Sequence, residues 1–154
     1  MEAFRQTVID YLLKQEAQQI DVGSTASIVF VLDDVLFVAN IGDSRVIGSM
    51  AGLVVPLSTD HTPDQTDEHQ RIKDTGGYVT WAGGWRVGGV LPFSRAFGYK
   101  RLKSYVMAEP GIEVQEISDV VDFIIIATAG LWSTMSNEEP VIAIQSRRGA
   151  EEVS

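Results

Sequence analysis

The chain of 154 residues contains no cysteine. That excludes disulfides, zinc–thiolate centres and a catalytic thiol, and it fits a reducing compartment. Positive charge is also scarce: 12 Lys and Arg stand against 21 Asp and Glu, a net charge of -9. The basic residues are scattered, and Arg147-Arg148 is only a pair. A domain that grips a phosphate backbone ordinarily presents a basic face, so nucleic acid is not an expected partner. Long apolar runs are missing as well. The longest, 28–32 and 123–127, fall far short of the roughly 20 residues a membrane-spanning helix needs. Polar residues within 1–6 break any secretory-signal core. A cytoplasmic or nuclear protein with no membrane association is the expectation.

What is present reads as one globular domain over residues 1–154, since 45% hydrophobic and 21% charged residues are enough to build and solvate a core. No internal repeat, low-complexity tract or linker divides it. Phe4, Val8 and Leu12, with Ile9 and Leu13, recur at helical spacing and predict an amphipathic opening helix that ends before Gly23. Residues 27–32, 35–41, 45–49 and 53–57 are short apolar runs rich in β-branched side chains, with Asp33-Asp34 as the first turn. They predict a four-stranded antiparallel meander, and their unbroken apolar character predicts strands covered on both faces.

Thr62-Pro63-Asp64-Gln65 has a capping-box pattern with proline at the first helical position, so a helix is predicted from Thr62. Asp67 and Arg71 are spaced for an i, i+4 ion pair, and Gly76-Gly77 marks the stop. Residues 78–98 form an irregular, glycine-rich excursion that closes in a return strand. Strands at 112–117 and 123–127 follow, Ser136-Asn137-Glu138-Glu139 caps a last short helix, and 146–154 is polar and expected to fray.

Catalysis by metal ions needs carboxylates converging from several elements. Asp43, in Ala39-Asn40-Ile41-Gly42-Asp43-Ser44-Arg45, is the clearest candidate, although spacing alone makes it a carboxylate that caps a turn. His61 and His69 suggest no base, and neither Ser24 nor Thr25 has a histidine placed to activate it. The glycines of Arg86-Val87-Gly88-Gly89 do not have nucleotide-binding spacing.

The order of these motifs resembles the type 2C protein serine/threonine phosphatases. Gly23-Ser24-Thr25-Ala26 precedes the Asp43 motif, and Asp60-His61-Thr62-Pro63-Asp64 follows with Glu68, Arg71 and Ile72. Arg86-Val87-Gly88-Gly89-Val90-Leu91, Ser94-Arg95-Ala96-Phe97-Gly98, Glu109-Pro110 and Gly130-Leu131-Trp132 continue it. The resemblance spans residues 23–139, and Asp64-Gln65-Thr66-Asp67-Glu68 with Trp81-Ala82-Gly83-Gly84-Trp85-Arg86 is most similar to plant members.

That resemblance implies an α+β, four-layer α-β-β-α sandwich with two Mg²⁺ or Mn²⁺ ions in a cleft, where they activate water for attack on phosphoserine or phosphothreonine. It also implies that this chain carries the fold only in part, without the N-terminal strands and C-terminal helix. The departures fall on the acids. The family's Asp-Gly-His-Gly-Gly segment has no counterpart before Gly23, and its closing Asp-Asn element has none after Trp132. Asp-Gly-Leu-Trp-Asp is here Ala129-Gly130-Leu131-Trp132-Ser133, so a metal aspartate is replaced by Ala129 and a second acid by Ser133. The acid expected after Gly98 is Tyr99.

Asp43 remains, at a position the family uses for an accessory metal, and one carboxylate cannot hold a dinuclear site. The expectation is therefore no bound cofactor and an inactive homologue. Two alternatives stand beside it: an interaction module competing with intact relatives for a protein or phosphoprotein, and a weak metal-dependent phosphatase. Trp81 and Trp85 in the flap at 78–91 are the candidate partner contacts. Trp81 is expected to be exposed, and Trp85 either exposed or packed in the core. Uncovered sheet edges and faces would favour self-association.

Overall fold

The computed structural model describes residues 2–18, 20–117 and 121–151. Helix α1 (Glu2–Gln18) opens the chain, followed by β1 (Gly23–Ser24), β2 (Ala26–Leu32), β3 (Val35–Ile41), β4 (Arg45–Met50) and β5 (Leu53–Pro56). Helix α2 (Thr66–Asp74) leads to β6 (Val79–Trp81), β7 (Trp85–Val87) and β8 (Phe97–Gly98), and a 3-10 turn follows at Lys100–Leu102. Then come β9 (Gly111–Glu116), β10 (Val121–Ala127), α3 (Ala129–Trp132) and α4 (Glu138–Glu151).

The strands were predicted as one meander, but they divide between two sheets. One has the order β2-β3-β9 and the other β10-β4-β5. The chain changes sheet at Gly42, whose φ of +89° suits glycine and where a Cβ would collide with the Thr25 side chain. Leu36 and Val38 of β3 meet Val46 of β4 and Leu57 between the sheets, with Val29, Met50, Val55, Ile117 and Ile124 around them. This is the inner layer of a sandwich. A second cluster of Ile72, Val87, Leu91, Ala96 and Val106 seats α2 against the β6–β7 hairpin and the segment after β8.

Coverage on both faces does not hold for the first sheet. Its register aligns Phe30 with Phe37 and Val114, and Ile28 with Ala39 and Ile112. Alternation then places these side chains on the face opposite Leu36 and Val38, where Phe30 is 58% and Val114 58% exposed. The apolar run read as double burial because periodicity reports side-chain chemistry, not what lies against it. The other sheet does carry a helix: Gln145 of α4 donates to Ser49 Oγ (3.3 Å), and Arg148 lies 5.1 Å from the centre of the Phe123 ring. These contacts, with Ser146 Oγ donating to Ile142 O, accompany a helix that continues to Glu151 through residues expected to fray. Residues 152–154 of that predicted tail lie outside the described ones.

Two further local differences have identifiable causes. Helix α2 starts at Thr66, not Thr62, because residues 62–65 close a turn with Gln65 N–H donating to Thr62 O (3.2 Å). The stop is as predicted: Gly76 has φ +84°, and Gly77 N–H donates to Ile72 O. In α1, Phe4 stacks on Phe97 with ring centres 5.6 Å apart, whereas Ile9 and Leu13, expected on the packed face, are 52% and 60% exposed. Among the described residues no helix is long and apolar enough to cross a membrane.

Candidate functional site

The antiparallel register pairs Ala127 at the end of β10 with Arg45 at the start of β4. Asp43 lies two residues before Arg45 and Ala129 two residues after Ala127, so topology brings both to the same end of this sheet. Arg45 ties that end together. Its Nε and Nη2 donate to the two Asp60 oxygens at 2.9 and 2.7 Å, and its Nη1 donates to Asn137 Oδ1 at 2.7 Å. Its guanidinium also sits 5.4 Å from the centre of the Trp132 ring, next to Ser133.

Asp43 is half-buried. Burial raises its pKa, its own backbone N–H works against that, and the nearby Asp60 charge raises it further. Asp60 is engaged by Arg45, so it is not a spare ligand. Ala129 opens α3 with only a methyl group, and exposed Ser133 closes it by donating its N–H to Ala129 O (2.9 Å). The end therefore offers one carboxylate, one hydroxyl and a methyl. This donor set does not fit two hard divalent cations, each of which needs several oxygens. Nor do the described residues contain any group of three or more His, Asp or Glu side chains arranged to hold a metal.

The remaining family-like polar residues build the wall behind this end. Asn40 is buried: its Nδ2 donates to Gly42 O (3.2 Å) and Thr59 O (3.0 Å), and its Oδ1 accepts from Ser27 Oγ. Thr25 and Ser44 share a hydroxyl hydrogen bond of 2.8 Å. His61 is buried, donates its N–H to Gly42 O (2.9 Å) and accepts the Gly42 N–H on Nδ1 (3.3 Å). An accepting Nδ1 requires the neutral ring. Burial first, and then the Arg95 charge, lower the His61 pKa to about 4. His69 is half-buried, with Nδ1 3.1 Å from Pro63 O.

Glu68 was legible in the sequence only as a family-like acid near a helix start, and it is the least exposed carboxylate described, at 1%. Arg95 donates to Glu68 Oε1 from Nε (3.0 Å) and Nη2 (2.6 Å), and Arg71 donates to Oε2 from Nη2 (2.8 Å). Arg71 continues to Tyr105 O and Ser94 O. Its partner is thus Glu68 at i, i+3 and not Asp67 at i, i+4, because Asp67 faces solvent. Burial alone would raise the Glu68 pKa. The Arg95 and Arg71 hydrogen bonds prevail and hold it at about 2. The periodic signal that could have found this residue is its position one turn before Ile72, on the buried face of α2.

Tyr99 occupies the place of the expected acid with φ +51°, its N–H donating to Val22 O and its ring lying over Gly23. An aromatic ring therefore lies within electrostatic reach of Asp43. In the flap, Trp81 and Trp85 face each other across the β6–β7 hairpin, edge to face with centres 5.5 Å apart. Gly83 and Gly84, with φ of +68° and +155°, make the turn. Trp81 is 67% and Trp85 40% exposed, and Trp85 meets the His69 ring edge-on rather than entering the core.

A sandwich of two sheets whose polar end carries these motifs has the architecture of a phosphatase domain, in part. Residues 1–154 match the family described as Protein phosphatase 2C, and the chain belongs to that family. It is 50% identical to "Probable protein phosphatase 2C 11" of Arabidopsis thaliana over 98% of this chain and 40% of the relative. It is 48% identical to "Probable protein phosphatase 2C 45" of Oryza sativa subsp. japonica over 99% of this chain and 54% of that relative. Among solved structures, the serine-threonine phosphatase 2C of Toxoplasma gondii superposes with TM-score 0.84 at 26% identity, covering 96% of this chain and 54% of that one. A C. elegans sex determining protein shares the fold, with TM-score 0.82 at 22% identity over 86% of this chain and 33% of that one. The chain spans 40–54% of the length of these two plant relatives.

Proposed function

We propose that this chain is a catalytically inactive homologue of the metal-dependent protein serine/threonine phosphatases. What supports the reading is the end of the β10-β4-β5 sheet, where the resemblance sets Ala129 and Ser133 at positions of family acids and Asp43 brings a single carboxylate. Phosphoryl transfer to water in a two-metal site depends on the ions to generate the nucleophile and to clamp the attacking and leaving oxygens. A methyl group and a neutral hydroxyl cannot supply the anionic oxygens that hold them. No resident Mg²⁺ or Mn²⁺ is expected, and Asp60, His61, Glu68 and Arg95 serve the fold.

The expected result is that purified chain in millimolar Mn²⁺ hydrolyses p-nitrophenyl phosphate or a phosphothreonine peptide no faster than buffer does. Turnover that a chelator abolishes would overturn the proposal in favour of a weak phosphatase.

The exposed Trp81–Trp85 pair favours a second reading, an interaction module that competes with intact relatives for a protein or phosphoprotein partner in the cytoplasm or nucleus. Exposed tryptophans are frequent anchors of interfaces. That reading requires Trp81→Ala, which leaves the core untouched, to weaken capture of such a partner. Capture indifferent to Trp81 removes its support.

A further inference from the structure

A groove of about 430 Å³ runs between α1 and the segment before β9, lined chiefly by Phe4, Val8, Ile9, Lys103, Met107 and Pro110. A second groove of about 250 Å³ is lined by Ile9, Leu12, Leu13, Lys100 and Lys103, so Ile9 and Lys103 border both. Lys103 is half-buried, and the one hydrogen bond of its Nζ among the described residues is to Ala96 O at a marginal 3.5 Å. It makes no ion pair among those residues, and Glu109, also on the groove wall, is exposed. Burial lowers the Lys103 pKa, the signature of an ammonium with no compensating charge.

We propose that this groove binds a single-chain amphipathic carboxylate, a medium-chain fatty acid, with its carboxylate on Lys103 Nζ and its alkyl tail along Phe4, Val8, Ile9, Met107 and Pro110. Three features select that chemistry. The volume falls within the range of small-molecule sites. Apart from Lys103 and the exposed Glu109 the lining side chains are apolar, so a peptide lying in it would leave backbone amides without partners, at a cost an alkyl chain does not incur. One lysine also matches one carboxylate, whereas a phosphate group calls for a denser set of donors. The site is independent of the Asp43 end and does not rest on the reading of catalytic activity.

The test is direct titration of the full chain with cis-parinaric acid, a fluorescent fatty acid, followed by displacement with laurate and, separately, with dodecanol. Saturable binding at one site per chain is expected, with laurate displacing the probe well below the concentration dodecanol needs. Lys103→Met keeps the apolar stem and removes the charge, so it should weaken binding roughly 10- to 100-fold, the range for a hydrogen bond to a charged group. Ile9→Asp, at an exposed helical position that borders the groove, should abolish binding while preserving the circular dichroism spectrum. Phe30→Ser, on the uncovered face of the β2-β3-β9 sheet, should have no effect. Undiminished binding by Lys103→Met, equal displacement by dodecanol, or loss of binding in Phe30→Ser would each overturn the proposal. The last would assign the fatty acid to the bare sheet face.

Discussion

Replacing Glu68 with alanine is expected to cost about 3–5 kcal/mol of stability, the range for removing one partner of a buried ion pair. Against a total of about 5–15 kcal/mol for a typical domain, that is close to unfolding. The loss comes from what is left behind more than from the contact itself. Arg95 and Arg71, with side chains only 18% and 23% exposed, would face each other across an emptied site with no anion between them. Both also hold backbone carbonyls, Glu109 O from Arg95 and Tyr105 O and Ser94 O from Arg71, so repulsion between them would loosen the segment that closes the second core. The control is Asp67→Ala. If the i, i+4 pattern of the sequence described the ion pair, Asp67 would matter. Since it is exposed, its removal should stay within about 0.5 kcal/mol. Urea melts of the two variants decide between these, and a Glu68→Ala loss under about 1 kcal/mol would mean that both guanidinium groups relax into solvent.

Acidification should weaken the fold earlier than carboxylate protonation alone would. His61 titrates near 6.5 when unfolded and at about 4 when folded, so between these values the unfolded chain binds more protons. The contribution of its neutral ring is complete above pH 6.5 and declines as pH falls to about 4, by about 3 kcal/mol in all. Glu68 then extends the loss from 4.5 down to about 2 as its carboxylate is forced to protonate between two arginines. Asp43 acts in the opposite sense: its raised pKa means that the folded state takes up a proton more readily, which gives back some stability above 3.8. Stability measured by denaturant between pH 7 and pH 4.5 should therefore slope downward, and in His61→Gln the slope above pH 5 should be lost. A flat profile from pH 6.5 to 5 in the unmodified chain would show that His61 is not held neutral.

Strand content and the hairpin turn at Asp33-Asp34 were legible because β-branched runs and turn residues act locally. The division into two sheets was not. It depends on Gly42, whose positive φ and contact with Thr25 matter only once distant residues are in place. The start of α2 was misplaced because Pro63 suits the first position of a helix and a turn equally well, and tertiary ties through His61 selected the turn. Periodicity found the apolar faces of α1 and β2 but could not say what lies against them, so Ile9, Leu13 and Phe30 are open where packing was expected. At the candidate site, the family resemblance pointed to Asp43, Ala129 and Ser133, and the β10–β4 register places Asp43 and Ala129 at one end of the sheet. Glu68 escaped because a charged side chain on a polar-looking helix reads as solvated; its place one turn before Ile72 was the one sign of burial, and its arginines come from 95 and from its own next turn.

The most direct test of the proposed loss of the metal centre is calorimetric titration of Mn²⁺ into the unmodified chain, alongside Ala129→Asp/Ser133→Asp and Asp43→Asn. The unmodified chain should give only heats of dilution, while the double variant, with three carboxylates gathered at one end of the β10-β4-β5 sheet, should acquire saturable binding. Saturable Mn²⁺ binding by the unmodified chain that disappears in Asp43→Asn would contradict the proposal and return the site to the metal-dependent phosphatases.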